Sequence, residues 1–86
     1  MIAPEQIRPT IYRLLHEVDP NHAPEDDPTN DEKPTADYLD SFGLVSLIQE
    51  LEIAFEIQIS DEDTSSENFG SVTQIIRFIG DKIRSK

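Results

Sequence analysis

The 86-residue sequence contains no cysteine. A chain without cysteine holds no disulfide framework, thiolate nucleophile or thiolate metal site, so any thiol chemistry requires a thiol from another molecule. Long apolar runs are also missing, since no stretch approaches the roughly 18 residues that span a bilayer. The N-terminal MIAPEQIRPT lacks a basic region followed by an apolar run, which argues against a signal peptide. We therefore expect a cytoplasmic, monomeric protein that forms one domain over residues 1–86.

Basic residues are scarce, with 7 Lys and Arg against 18 Asp and Glu and a net charge of −11. The acids concentrate in residues 17–70, whereas the two ends of the chain are weakly basic. A surface of this sign repels phosphate backbones and attracts basic surfaces on partner proteins, so nucleic acid is excluded as a ligand. The charge has a second explanation, because acids also keep a small domain in solution. His16 and His22 are not spaced with carboxylates as a catalytic or metal site requires, so we expect surface positions and no metal.

The first third of the chain predicts a helix followed by a long loop. Ile7, Ile11, Leu14, Leu15 and Val18 repeat at helical spacing, and Asp19 and Pro20 end the pattern. Because Pro9 would remove a hydrogen bond inside this helix, we expect it to begin near Arg8 or Pro9 or to have a distorted first turn. Residues 19–37 are acidic and proline-rich, which predicts a loop. Tyr38 and Leu39 are expected to anchor its end in the core.

The stretch LDSFGLVSLIQELEIAF, residues 39–55, predicts an amphipathic helix that begins at Ser41. Asp40 is the candidate N-cap. Its apolar positions follow the three-and-four spacing of one buried stripe and are Phe42, Val45, Leu47, Ile48, Leu51, Ala54 and Phe55. Phe42 and Val45 are ambiguous, since either could face the core or a partner. A phosphate esterified to Ser41 would lie in the favourable field of the helix N-terminus.

The rest of the chain predicts a short helical segment and a last helix. Residues 56–59 alternate polar and apolar side chains but are too short to be a sheet without a partner strand, so Ile57 and Ile59 should pack inward. One or two helical turns are expected before Gly70, with Phe69 packed inward. Ser71 and Gln74 have capping-box spacing, so the last helix should begin at Ser71 or Val72. The predicted fold class is all-α: a small four-helix bundle of three main helices and one short helix, with a long loop after the first.

This pattern resembles that of the acyl carrier proteins. The family's serine signature and the helix after it are matched by Asp40, Ser41, Phe42, Val45, Leu47, Leu51 and Phe55. The similarity extends over residues 38–83 and includes the EIQISDE run at 56–62. In that family the serine carries phosphopantetheine, which a separate transferase takes from coenzyme A, and the thiol of that arm holds an acyl or aminoacyl group as a thioester. The resemblance implies a non-catalytic carrier with Ser41 as the attachment point and with Asp40 as helix cap and contact for the transferase.

The resemblance also implies partners and the surfaces that meet them. The partners are a phosphopantetheinyl transferase, an acyl- or aminoacyl-activating ligase, and a downstream acyltransferase or synthase. The docking positions are Phe42, Val45, Glu50, Glu52, Asp61, Glu62 and Asp63. Carriers of fatty-acid synthesis usually have acids two and five positions after the serine and an apolar residue at a later contact position, where this chain has Gly43, Ser46 and Gln49. The LDSFG segment is more similar to specialised carriers, including D-alanyl and aminoacyl carriers, and the cargo stays open.

The residues suggest three other hypotheses. An acidic interaction domain, a scaffold or inhibitor without a prosthetic group, would make Ser41 dispensable. A hydrolase that uses Ser41 is excluded because no histidine base with an oriented acid accompanies it. A calcium loop starting at Asp61 is excluded because Ser66 stands where glycine is required and Val72 where a bidentate glutamate belongs. If a cavity exists, its candidate lining residues are Ile48, Leu51, Ile57, Ile59 and Ile76, which are otherwise ordinary core.

Overall fold

The computed structural model describes residues 4–85. It contains four helices, which are α1 (Pro4–Val18), α2 (Ser41–Phe55), α3 (Ser66–Phe69) and α4 (Val72–Arg84). Short 3-10 turns lie at Pro28–Asn30, Thr35–Asp37 and Asp61–Thr64, and no strand occurs in the described range. These elements confirm the prediction of a small all-α bundle with three main helices and one short helix. No helix between residues 4 and 85 has the length and apolar character needed to cross a membrane.

Helix α1 ends at Val18 as predicted, but it begins at Pro4, so the predicted later start is wrong. Pro9 lies inside the helix and has no N–H to donate to the carbonyl of Glu5, one turn earlier. Glu5 is exposed, so its carbonyl lies on the solvent side of the bundle rather than in the core. The extra turn also adds Ile7 to the core, where it is 4% exposed. Burial of this side chain offsets the hydrogen bond that the proline removes.

The core is formed where α1 packs against both α2 and α4, with α3 packed on α4. Side chains that are completely shielded from solvent come from all three long helices: Ile11, Leu15, Leu47, Leu51, Val72, Ile75 and Ile79. Phe69 on α3 packs against Phe78 on α4 with ring centroids 5.2 Å apart, as expected for an inward-facing anchor. The bundle therefore has one contiguous apolar core, and the predicted stripe of α1 is confirmed.

The long connection between α1 and α2 is ordered by two short turns and by contacts to three helices. Asp27 caps the first turn by accepting from the Thr29 N–H at 2.9 Å. The Thr35 N–H donates to the Gly70 carbonyl at 2.9 Å, and the Thr35 hydroxyl donates to the Phe69 carbonyl at 2.7 Å. Leu39 is buried at the end of the connection and Tyr38 packs partly on the core, as the sequence predicts. The connection thus follows a defined path across the bundle.

The segment after α2 also follows its sequence. The C-terminus of α2 is closed by Glu56, which has a left-handed backbone with φ 54°. Ile57 is buried and Ile59 is partly buried, with no strand formed. The Ser71 hydroxyl oxygen accepts from the Gln74 N–H at 3.3 Å, so α4 begins at Val72 as predicted. This cap fixes the point at which α3 ends and α4 turns back along the bundle.

Candidate functional site

The junction at the start of α2 is built by a side-chain cap. Asp40 has an extended backbone, and its carboxylate Oδ1 accepts from the Gly43 N–H at 2.7 Å. This bond satisfies one of the amide donors that the first turn of a helix leaves free. Ser41 is the first residue of α2 and is exposed. Its hydroxyl therefore stands at the positive end of the helix dipole, where a phosphate ester would be stabilised.

Gly43 is buried in this junction and leaves little room for a side chain. A Cβ at this position would lie 3.2 Å from Asp40 Oδ1 and 3.2 Å from a methyl of Leu39. The cap and the buried end of the loop therefore close tightly around the glycine. A side chain at residue 43 would therefore require Asp40 or Leu39 to shift by a few tenths of an ångström.

Three large apolar side chains on α2 face solvent. Phe42 is 81% exposed, Val45 is 54% exposed and Ile53 is 73% exposed. The structure therefore removes Phe42 and Val45 from the predicted buried stripe and places both on the surface beside Ser41. Ile53 was missed by sequence analysis, although its spacing of eight from Val45 puts it near the same face of a helix. Phe42 and Val45 are three residues apart and so lie next to each other on the surface of the helix, which places exposed apolar area beside Ser41.

A groove of about 440 Å³ opens beside Ser41. Its lining includes residues 34–36 of the long loop, which we call its loop wall, residues 64–66 of the α3 region, and the apolar side chains of Leu39, Leu44 and Phe69. Asp40 and Ser41 lie at its α2 end. We call this the Ser41 groove. It is open to solvent, and its lining is mainly apolar. The groove was not predicted, because it depends on the path of the loop.

The residues proposed as cavity lining do not border the Ser41 groove. Leu51 and Ile57 are buried, and the partly buried members Ile48, Ile59 and Ile76 pack against the core cluster. These contacts are those of core side chains, the other interpretation that the sequence left open, although Ile59 also borders a separate surface groove near Glu52 and Lys82.

The five acids proposed for docking differ in what they contact. The Glu52 carboxylate accepts from the Ile59 N–H at 2.9 Å, so it holds the chain that leaves α2. Asp63 pairs with Lys82 of α4 at 3.1 Å and accepts from the Ser60 N–H at 3.1 Å. These hydrogen bonds and the charge of Lys82 lower the pKa of Asp63, with the Ser60 N–H as the largest cause. Asp61 and Glu62 are exposed, and Glu50 is half-buried on α2. Glu52 and Asp63 therefore stabilise the fold, whether or not they also contact partners.

Asp31 is the main residue that sequence analysis missed. Its carboxylate accepts from Arg8 Nε and a terminal guanidinium N–H at 3.1 Å each, and from the Tyr12 hydroxyl at 2.6 Å. Partial burial acts to raise the pKa of Asp31, but the bonds from Arg8 and Tyr12 outweigh it and the pKa is lowered. The sequence contains no local signal for this cluster, because Asp31 is 19 residues from Tyr12 and 23 residues from Arg8.

The two histidines have partners away from Ser41. His16 is half-buried at the end of α1, with its Nε2 2.8 Å from the Pro24 carbonyl. His22 is exposed and pairs with Asp19 at 3.0 Å. Both imidazoles are therefore engaged with the first part of the loop. Among residues 4–85, no group of three His, Asp or Glu side chains is placed to hold a metal ion.

Comparisons with known proteins do not identify a family for this chain. No protein-family model and no curated protein matches the chain. The interpretation of the site therefore depends on its own residues.

Proposed function

We propose that this chain is an acyl carrier protein and that Ser41 is the attachment site of a phosphopantetheine arm. The observation that carries the proposal is the placement of Ser41, an exposed hydroxyl at the N-terminus of α2 with Asp40 as its neighbouring cap. The dipole of α2 favours a phosphate there, and the exposed position gives a modifying enzyme access. The missing cysteine fits this role, because the thiol of the arm supplies what the chain lacks.

The chain supplies a hydroxyl and a surface, and partner enzymes supply the chemistry. A phosphopantetheinyl transferase would join the serine oxygen to the phosphate that bears the pantetheine arm of coenzyme A, with loss of the adenosine bisphosphate part. The proton of the serine hydroxyl needs a base from the transferase, since Ser41 has no histidine arranged as its partner. A ligase would then load an acyl or aminoacyl group, and a downstream acyltransferase or synthase would remove it. In this proposal the chain is a cytoplasmic, monomeric carrier and not an enzyme.

Two surfaces beside Ser41 suit this role. The exposed side chains of Phe42 and Val45 offer apolar contact to a partner, and the Ser41 groove offers apolar walls to the arm or its cargo. The net charge of −11 would steer basic partner surfaces toward the chain and give weak, salt-sensitive complexes. A carrier needs such complexes because it must leave one enzyme before it meets the next.

Intact-mass analysis tests the attachment site. The chain is incubated with coenzyme A and a transferase that modifies many carriers, and the product is compared with Ser41→Ala. Ser66→Ala is the matched control, because Ser66 is also exposed, begins a helix and borders the same groove. We expect one phosphopantetheine on the wild type and on Ser66→Ala, and none on Ser41→Ala.

Two results would contradict the proposal. The first is that several transferases that label known carriers each leave the wild type unmodified, which would favour an acidic interaction domain without an arm. Modification that persists in Ser41→Ala would place the attachment elsewhere. Either result removes Ser41 from its proposed role.

A further inference from the structure

One wall of the Ser41 groove belongs to the long loop, and the Asp31 carboxylate makes three of the hydrogen bonds that hold this loop to the bundle from outside the groove. Asp31 accepts two hydrogen bonds from the guanidinium of Arg8 and one from the hydroxyl of Tyr12. Arg8 also pairs with Asp26 and lies over the Tyr12 ring at 5.1 Å from its centroid. Charge-assisted bonds of this kind are about twice as strong as neutral ones. The loop is thereby fixed to α1.

The backbone next to this carboxylate is fixed to α4. The Thr73 N–H donates to the Asp31 carbonyl at 3.1 Å, and the Thr73 hydroxyl donates to Glu32 Oε1 at 2.6 Å. Thr73 is the second residue of α4, where an amide has no partner within the helix. Residues 31 and 32 of the loop therefore accept hydrogen bonds from the N-terminus of α4, and the side chain of Asp31 fixes the same part of the loop to α1.

The wall of the groove follows within a few residues. Residues 34–36 form the wall, so at most about 11 Å of extended chain separates it from Asp31. The wall has two direct bonds to the α3 region, from the Thr35 N–H to the Gly70 carbonyl and from the Thr35 hydroxyl to the Phe69 carbonyl. Without the side-chain contacts of Asp31, the wall would keep these two bonds and the buried Leu39. The loop before the wall would lose three of its hydrogen bonds to α1 and would depend on the Arg8–Asp26 pair and the bonds from Thr73.

We propose that Asp31 is the positioning residue of the Ser41 groove: its contacts with Arg8 and Tyr12 keep the loop wall closed beside Ser41, and their loss lets residues 26–36 open as one unit. The opening is local, because the buried side chains of α1, α2 and α4 pack against one another without this loop segment. Access to the groove is then set by a carboxylate outside it. The inference concerns the wall itself and needs no prosthetic group, so it is tested independently of the proposed carrier function.

Amide hydrogen exchange, followed residue by residue by NMR on the full chain, tests this inference. Asp31→Asn keeps the shape of the side chain but loses the charge that pairs with Arg8. Tyr12→Phe removes one hydrogen bond and keeps the ring. Glu25→Gln is the matched control, since Glu25 is an exposed acid of the same loop and its substitution changes the net charge by the same amount. The reporters are the N–H groups of Thr35 and Thr73, compared with those of Leu47 and Leu51 in the core of α2.

We expect Asp31→Asn to speed exchange at Thr35 and Thr73 by about tenfold or more, which corresponds to the loss of hydrogen bonds to a charged group. Tyr12→Phe should give a smaller acceleration at the same two amides, and Glu25→Gln should give none. Leu47 and Leu51 should keep their wild-type rates. Faster exchange at Thr73 with an unchanged rate at Thr35 would overturn the proposal, because Asp31 would then hold the loop without holding the wall. Equal acceleration at all four amides would also overturn it, since Asp31 would then contribute to global stability alone.

Discussion

At the scale of single residues, Asp40 combines a structural role with a proposed functional one. Its Oδ1 caps α2 through the Gly43 N–H at 2.7 Å, and this bond sets the backbone direction at Ser41. In the proposed carrier, Asp40 would also contact the transferase and its metal. The two roles depend on different properties of the side chain, because a cap needs an oxygen acceptor whereas contact with a metal benefits from a negative charge.

Substitution at Asp40 can separate these roles. Asp40→Ala removes the acceptor, and we expect it to lower the free energy of unfolding by about 1 kcal/mol. Asp40→Asn keeps an acceptor oxygen and should stay close to the wild type in urea unfolding. If the charge serves the transferase, both variants should be modified more slowly at Ser41 than the wild type, as measured by intact mass over time. Full-rate modification of Asp40→Asn would show that the cap is the whole contribution of this residue.

At the scale of helices, two glycines on the α3–α4 side of the bundle occupy opposite environments. A Cβ on Gly70 would lie 2.5 Å from the Ser66 carbonyl oxygen, which belongs to the backbone of α3. The carbonyl of Gly70 also accepts the Thr35 N–H, so movement at Gly70 would reach the groove wall. Gly80 lies within α4, and a Cβ there would meet nothing within 4 Å. Gly70 is thus required by a close approach, whereas Gly80 is not.

We therefore expect Gly70→Ala and Gly80→Ala to change stability in opposite directions. Gly70→Ala should lower the free energy of unfolding by roughly 1–3 kcal/mol, because the backbone of α3 has to shift. Gly80→Ala should raise it by about 0.5–1 kcal/mol, because alanine loses less conformational entropy in a helix. Urea unfolding followed by far-UV circular dichroism measures both. A destabilised Gly80→Ala would mean that α4 needs local flexibility at this residue.

The first and last residues of a helix were predictable where capping residues close in sequence mark them. Asp40 and Ser71 cap the amides of Gly43 and Gln74, which lie three residues later in the sequence, so residue type and spacing suffice to find them. Pro9 misled the prediction for α1, because the core contact of Ile7 that offsets its missing hydrogen bond is a tertiary effect. Capping chemistry is visible in a sequence, whereas the gain from burying one more turn is not.

At the scale of the whole molecule, the candidate site was predictable in part. Ser41 and its cap follow from local pattern, but the groove beside them requires the loop wall, which is positioned by contacts between residues distant in the sequence. Asp31 reaches Arg8 across 23 residues, and Thr73 bonds the Asp31 carbonyl and the side chain of Glu32 from the other end of the chain. An acidic, proline-rich loop gives no sign of which of its many acids makes these contacts.

Charge acts on the whole molecule in two opposite ways. The acids that give the net charge of −11 repel one another in the compact state, and this repulsion destabilises the fold. Protonation of some exposed acids therefore stabilises it. Some acids are instead stabilised in the folded state, and their pKa values are lowered: Asp19, Asp27, Asp31 and Asp63. Partial burial alone would raise the pKa of Asp31, but the hydrogen bonds that Arg8 and Tyr12 donate to the carboxylate lower it by more. Stability should therefore depend on pH through both groups of acids.

The sign of this dependence follows from linkage. An aspartate with a lower pKa when folded than its value of about 3.9 when unfolded stabilises the protein above that value, and its contribution is lost as the pH falls through the folded pKa. We expect the free energy of unfolding to stay level or rise slightly from pH 7 to about 5, as repulsion weakens, and to fall below about pH 4. Urea unfolding across this range is the measurement. Asp31→Asn should be less stable than the wild type at neutral pH and should lose less stability in acid, whereas Glu25→Gln, at an exposed acid of the same loop, should follow the wild type. Parallel acid limbs for Asp31→Asn and the wild type would show that the contacts of Asp31 do not favour its ionised form.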